Sequence, residues 1–229
     1  MIDSRDIHLH ERVQRIAKAV LNDLASWLNV GMSEAAIVNK CIAMLKEHGV
    51  NETWYYNTPA LVLVGKRSIL SISGRGYTPS AEVFAVDGDL VTVDLSPSVA
   101  GRWGDCARSF VIGQTPSDAI ADGFDAEVAL HRELTSKATP SMTFGEVHSL
   151  MARAIEKLGF ENLDFLANLG HSIALDRHDR VFIERGNQRS LGSVAMFTFE
   201  PHIRRPGTLL GFKHENIYYF DSSHQLREL

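Results

Sequence analysis

The sequence predicts a mixed α/β chain (α+β in order of elements) made of two similar halves, each running from helices into strands. Three observations predict it. Apolar residues recur at three- and four-residue steps over two stretches, 13–49 and 116–159, which is the helical period. Shorter apolar runs bounded by turn residues follow each stretch, as strands do. The two stretches also align without gaps at an offset of 110 residues, VGMSEAAIVNKCIAMLKEHGV over PSMTFGEVHSLMARAIEKLGF, pairing Met32 with Met142 and Gly49 with Gly159.

The first helix is carried by Val13, Ile16, Ala17, Val20, Leu21 and Leu24 and is interrupted at Gly31. Ser33 supplies a cap for the second helix, whose inner face is Ile37, Cys41, Met44 and Leu45 and whose end is Gly49. Ala60–Val64, Ser68–Ile72, Leu90–Leu95 and Cys106–Ile112 then read as strands. Pro116 restarts the helical signal, with Ala119, Ile120, Phe124, Val128 and Leu134 on one face. Thr143 and Glu146 have the spacing of a capping box and open a helix that stops near Gly159. Val194–Glu200 and Leu209–Phe220 read as strands. The expected organisation is one domain over 1–229, with half-repeats of about 1–115 and 116–229 and no additional N-terminal domain.

Composition narrows the function. The chain has 229 residues, 45% apolar, which suffices for one sizeable core. A net charge of −5, with no basic cluster larger than a pair such as Arg204-Arg205, argues against a nucleic-acid partner. No apolar run approaches the ~18–20 residues needed to span a bilayer, and the first six residues lack the layout of a signal peptide. With only Cys41 and Cys106, a disulfide framework is not expected; both read as small buried hydrophobes, and a cytoplasmic location fits.

The chemistry is carried by acids in apolar strands. Alternation puts Thr92 and Asp94 on one face of VTVDL, where an unpaired carboxylate is costly and needs a cation, a proton or a hydrogen-bond partner. Asp105 follows eleven residues later, after the turn-rich 96–104, so a returning strand brings it beside Asp94. Two carboxylates that close repel unless a cation lies between them. FTFEP repeats VTVDL and carries Glu200; Glu215 repeats Asp105 at the offset of the helices. Four carboxylates with the imidazole of His171 suit two divalent ions, Mn²⁺, Fe²⁺, Co²⁺ or Zn²⁺, of which Mn²⁺ is favoured. Such a pair activates water and polarises a carbonyl. Read singly, each residue has a plainer meaning. Asp94 is then an edge or turn residue, Glu215 a solvated strand residue, and His171 a loop imidazole bonded to backbone. The repeat in register makes the set more persuasive than its members.

The segments GDLVTVDLSPSVAGRWGDCARSFVIG, GHSIALDRHD, TFEPHIRRPG and GFKHENI resemble those of the pita-bread metallohydrolases, the family of methionine aminopeptidase, aminopeptidase P, prolidase and creatinase. LDRHD and CARSF lean toward the aminopeptidase P and prolidase branch. The resemblance implies two pseudo-symmetric halves of helices packed on a curved, mainly antiparallel sheet. It implies Asp94, Asp105, His171, Glu200 and Glu215 as ligands of a dinuclear centre, with Glu200 bridging the metals and handling the proton of the attacking water. His178, seven residues after His171, takes the family's histidine that contacts the substrate carbonyl. His202 and Lys213 fall at positions of substrate contact. Relatives are often dimeric, so a homodimer is an expected assembly.

Departures from the family pattern lie in the substrate shell. A histidine expected before the first Asp is replaced within SILSISGRGYTP by Ile72, Ser73 or Gly74, and one expected before His171 by Ala167. Lys213 stands for the usual Arg, and His202 for the Gly after Glu-Pro. The expected function is an aminopeptidase- or dipeptidase-like metallopeptidase acting on a short peptide. Two alternatives stand beside it. One is hydrolysis of a non-peptide C–N bond in a small amide, as in creatinase; the other is a binding module without catalysis.

Overall fold

The computed structural model describes residues 4–113 and 116–229. Its first half runs α1 (Ser4–Trp27), α2 (Glu34–Glu47), β1 (Glu52–Thr53), β2 (Ala60–Val64), β3 (Leu90–Leu95), β4 (Pro97–Val99), β5 (Arg102–Trp103) and β6 (Cys106–Val111). The second runs α3 (Asp118–Lys137), α4 (Phe144–Lys157), β7 (Glu161–Asn162), β8 (Phe197–Phe199), β9 (His202–Arg204), β10 (Phe212–Lys213), β11 (Asn216–Phe220) and β12 (Leu226–Glu228). Helices then strands, given twice, is the order the sequence predicts.

The helix boundaries follow from their caps. Ser33 Oγ accepts from Ala36 N, and Ser117 Oγ from Ile120 N. Thr143 and Glu146 form the full capping box. Gly49 and Gly159, at φ +78° and +81°, release the chain just past α2 and α4. The predicted apolar stripes of α1 and α2 are buried: Ala17, Val20, Leu21 and Leu24 of α1, with Ile37, Cys41, Met44 and Leu45 of α2, pack on one face of the first sheet, Ile16 is partly buried against them, and Val13 is buried as well. In the second half Phe144, Val147, Met151 and Ile155 of α4 are buried, but the α3 stripe is only partly so: Ile120 and Leu134 are buried and Phe124 half-buried, whereas Ala119 and Val128 are exposed, because the inner face of α3 runs through Gly123, Ala126 and Leu130. Both cysteines are free and buried, as expected.

The sheets are antiparallel. β3 lies between β2 and β6, and β11 lies between β12 and β8. Glu215 N donates to Ala107 O at 3.0 Å, which joins the two halves beside the acids. The halves correspond in register along β3 and β8. Thr92 faces Leu63 and Asp94 faces Leu61 across β2 and β3. Across β8, Ser172 faces Phe197, Thr198 N donates to His171 O at 2.7 Å and Glu200 N to Leu169 O at 3.0 Å. Glu200 therefore stands where Asp94 stands, and His171 where the other half has Leu63. One half supplies an imidazole and the other a leucine, so the donor set is asymmetric.

Two predicted strands differ. Ser68–Ile72 is not a strand: Gly65–Ile69 is a short 3-10 helix, after which the chain is irregular. Gly65, at φ +59°, turns the chain out of β2. Ser68 is then consumed by tertiary bonds, its carbonyl accepting from His202 Nε2 at 2.7 Å and its Oγ from Gly211 N at 3.0 Å. The run Leu209–Phe220 divides into β10, paired with β9, and β11, paired with β8. The break falls at His214-Glu215, where the chain pairs with Ala107 instead. Among the described residues, no helix is long and apolar enough to cross a membrane.

Candidate metal centre

Asp94 sits one residue from the end of β3, and Asp105 directly precedes β6. The backbone of Asp105 is clamped by Gln14 of α1, whose Oε1 accepts from Asp105 N and whose Nε2 donates to Asp105 O, both at 2.8 Å. Trp54 Nε1 holds the preceding Gly104 carbonyl at 3.1 Å. On the other side, Arg108 Nη1 donates to Glu215 O at 2.7 Å and its Nη2 to Asn216 Oδ1 at 2.8 Å. Gly170 is required for the approach of His171. Its φ is +145°, and a Cβ there would lie 2.2 Å from Thr198 O.

These contacts bring all five predicted ligands together. Donor atoms of Asp105, His171 and Glu215 lie within 4.8 Å of one another, as do those of Asp94, Glu200 and Glu215. His171 Nε2 is 3.4 Å from Asp105 Oδ2 and 3.7 Å from Glu200 Oε1. Its Nδ1 is 3.1 Å from Ser172 O, so Nδ1 carries the hydrogen and Nε2 presents a lone pair. Burial lowers the His171 pKa to about 4, which keeps that lone pair free at neutral pH.

The carboxylates lack what they need. Glu215 is 1% exposed, and neither of its oxygens has a hydrogen-bond partner among the described residues, nor does Asp105 Oδ2. Burial, followed by the charges of neighbouring acids, pushes both carboxyls well above the usual range. Divalent cations would satisfy these atoms, and four carboxylates with one imidazole suit hard or borderline ions. Glu215 is the member common to both donor groups. Glu200 belongs to one of the two groups.

Lys213 lies inside the cluster. Its Nζ is 2.6 Å from Asp94 Oδ2 and 3.0 Å from Glu200 Oε2. Those charges raise its pKa well above the usual value despite burial. In return, Lys213 and then His171 outweigh the burial that would raise Glu200, and hold that carboxyl below its ordinary range. Lys213 therefore touches the acids directly.

Asp94, Asp105, His171, Glu200 and Lys213 form the floor of a cavity of about 500 Å³. Leu61, Leu63, Leu70 and Ile72 form its apolar wall, and Ser73 stands beside Ile72. The stretch that replaces the family's histidine thus reaches the cavity without bringing an imidazole. His202 lines the cavity, with Nε2 committed to Ser68 O and its pKa lowered by burial to about 4.

His178 is not brought to this wall. It sits on the one-turn 3-10 helix Arg177–Asp179, capped by Asp176. Its side chain is 64% exposed, with Nδ1 2.7 Å from Asp176 Oδ1. That turn points residue 178 outward and returns the chain at Arg180, which does line the cavity. Gln14, Arg108 and Arg180 were not singled out in the sequence. Only Arg180 had a local signal, a cation next to LDRHD.

A two-half antiparallel fold closing on four acids and one imidazole defines the pita-bread class of proteins. The pattern of Metallopeptidase family M24 matches residues 8–221, and the chain belongs to that family. Methionine aminopeptidase B of Synechocystis sp. is 24% identical over 209 residues, covering 88% of this chain and 75% of that protein. An Xaa-Pro dipeptidase of Lactobacillus delbrueckii subsp. lactis is 27% identical over 181 residues, covering 79% of this chain and 46% of that one. The X-Pro aminopeptidase from Thermotoga maritima superposes with a TM-score of 0.83 at 20% identity, covering 99% of this chain and 61% of that structure. The prolidase from Pyrococcus furiosus gives 0.83 at 21%, covering 99% and 64%. The fold is the pita-bread fold, and the chain spans less than two thirds of the length of those two structures.

Proposed function

We propose that this chain is a hydrolase dependent on two divalent ions, an aminopeptidase or dipeptidase acting on short peptides. Asp94, Asp105, His171, Glu200 and Glu215 would hold the ions, Mn²⁺ before Fe²⁺, Co²⁺ or Zn²⁺. The observation that carries the reading is Glu215, buried, unpartnered, and common to both donor groups. When bound, the ions lower the pKa of water and polarise the scissile carbonyl.

The chain's own residues do the rest. Glu200, held ionised beside Lys213, accepts the proton of the attacking water. Lys213 limits repulsion between Asp94 and Glu200. Leu61, Leu63, Leu70 and Ile72 exclude bulk water, which strengthens every charge interaction at the floor.

A second reading, hydrolysis of a small non-peptide amide, is favoured by one observation. His171 and His202 are the only imidazoles among the described cavity residues; one N–H of each is held by a backbone carbonyl, and burial lowers both pKa values to about 4, so neither carries a second proton to give a leaving amine at neutral pH. A substrate whose nitrogen leaves easily needs that help least.

A panel of dipeptides, Xaa-Pro peptides and small amides, tested with Mn²⁺-loaded protein and with Glu200→Gln, separates these readings. The expected result is metal-dependent turnover of a short peptide, reduced about 10²–10⁴-fold in Glu200→Gln. Turnover of amides alone selects the second reading, and no hydrolysis of any member removes both.

A further inference from the structure

After β7 the chain turns sharply over residues 164–168 and lines the cavity with Asp164, Phe165, Leu166 and Asn168. Asp164 organises that turn. Its carbonyl accepts from Ala167 N at 2.8 Å, and its Oδ1 accepts from Leu166 N at 3.0 Å and from Asn168 N at 2.9 Å. One acceptor oxygen suffices for such a turn, and asparagine supplies one as well as aspartate does.

The turn therefore leaves the charge unused. Oδ2 accepts only from Ser71 Oγ, at 3.5 Å, a long bond between two oxygens. Asp164 has no ion-pair partner among the described residues. The cations of the cavity are engaged elsewhere. Arg75 lies 4.7 Å from the Tyr56 ring centroid, and Arg180 lies 5.2 Å from those of Trp54 and Phe182. Lys213 is taken by Asp94 and Glu200. Burial raises the Asp164 pKa in spite of the two backbone N–H bonds, and the charge of Glu200 adds to the rise. A second acceptor stands in the same turn. Asn168 Oδ1 is buried with no hydrogen-bond partner among the described residues, and an acceptor so left is destabilising until a donor reaches it.

We infer that Asp164, with the Asn168 amide oxygen, is a cation subsite at the cavity mouth that selects substrates by a primary ammonium group. A carboxylate and an amide oxygen offer acceptors, and their complement is a positively charged donor. An ammonium has three N–H groups, enough for both oxygens and a water. Leu70, Phe165 and Leu166 line the cavity while 38%, 61% and 65% exposed, an apolar rim for the carbon chain that carries the ammonium. The backbone bonds fix the turn beforehand, so little entropy is lost on binding. The net charge of −5 favours the approach of a cation. This rests on the hydrolase reading only in calling the ligand a substrate. The ammonium is that of a lysine-like side chain or the α-amine.

Calorimetric binding of three single amino acids to the full chain tests the subsite without peptide turnover. Nα-acetyl-L-lysine carries only a side-chain ammonium, L-norleucine only an α-ammonium, and Nα-acetyl-L-norleucine neither. Wild type is expected to bind the first about fivefold to thirtyfold tighter than the third, between the worth of an exposed ion pair and that of a buried charge-assisted bond. Asp164→Asn, which keeps an oxygen for Leu166 N and Asn168 N, is expected to erase that preference, and Asn168→Ala to reduce it. The same preference shown by L-norleucine instead, and lost in Asp164→Asn, assigns the subsite to the α-amine. In hydrolysis, Asp164→Asn should raise KM for Lys-Ala relative to norleucyl-Ala, or for Ala-Lys relative to Ala-norleucine, by the same factor, leaving the kcat ratio in place. Three ligands binding alike, or none binding, overturns the inference, as does an ammonium preference that survives in Asp164→Asn. Equal weakening of all three in that variant also overturns it, since a turn cap alone would do that. Asp164-dependent ammonium binding with no hydrolysis of any peptide leaves the subsite standing and removes the hydrolase reading.

Discussion

Metal loading should stabilise this protein by an amount and with a pH dependence that follow from Glu215. Its two buried oxygens have no hydrogen-bond partner, and burial with the charges of Asp105, Glu200 and Asp94 raises its pKa well above the usual carboxyl value. Asp105 is raised in the same way, by burial and then by Asp94 and Glu200. In metal-free protein, the folded state therefore holds protons that the unfolded state has released. That contribution to stability is complete below the unfolded carboxyl values, ~4, and is lost as pH rises through the folded ones. A divalent ion removes the loss by taking the place of the protons. At a hundred times Kd, the gain is about 2.7 kcal/mol. For a chain of 229 residues, each kcal/mol moves Tm by about 2–4 °C, so the expected rise is about 5–11 °C at neutral pH. Glu215→Gln removes the shared ligand and the repulsion together. Its metal-free form should be at least as stable as wild type, while its Mn²⁺-induced rise falls below about 2 °C. Calorimetric melts with Mn²⁺ or EDTA, paired with elemental analysis, read both quantities. Equal metal-induced shifts in wild type and variant would refute the reasoning, as would reconstituted wild type that holds no metal.

Three further outcomes follow from particular contacts. Lys213→Met leaves Asp94 and Glu200 facing each other without the ammonium. Metal-free stability by urea titration should drop about 1–3 kcal/mol, less than for a fully buried pair because these side chains keep some solvent, and Mn²⁺ should shrink the difference. Gly170→Ala would set a Cβ against Thr198 O and push His171 off β8, costing about 2–3 kcal/mol and metal affinity together; a variant with wild-type melting would disprove that close approach. Burial lowers the pKa of His131 to about 4, while an unfolded histidine titrates near ~6.5. The unfolded state then binds more protons between those values, so stability of the metal-loaded protein should fall as pH drops from ~6.5 to ~4, by up to about 1.4 kcal/mol per unit for this group. Denaturation at several pH values should show a shallower slope for His131→Gln.

The helices were legible because their signals are local. Apolar spacing, Ser33, the Thr143–Glu146 box and the glycines after α2 and α4 act within a few residues, and each is found where it was read except the spacing on α3, where Val128 is exposed. The strands were legible where both neighbours were strands, as in β2, β3 and β6. The reading failed at Ser68–Ile72, where an apolar alternation was overridden by bonds to His202 and Gly211, 134 and 143 residues away. The division between β10 and β11 is likewise set by Ala107, which belongs to the other half.

By itself, the sequence determined the two-half order of helices and strands and singled out the five side chains that the fold brings together. An acid in an apolar strand is a chemical anomaly wherever the chain goes, and the repeat supplied the register between the two pairs. Only the tertiary structure decided how those donors divide, because division depends on distances across halves more than a hundred residues apart. It placed Glu215 in both groups and set Lys213 between Asp94 and Glu200. It also turned His178 outward while bringing Arg180 onto Trp54 and Phe182. Two residues separate that histidine from that arginine, and a single turn capped by Asp176 decides which of them faces the cavity.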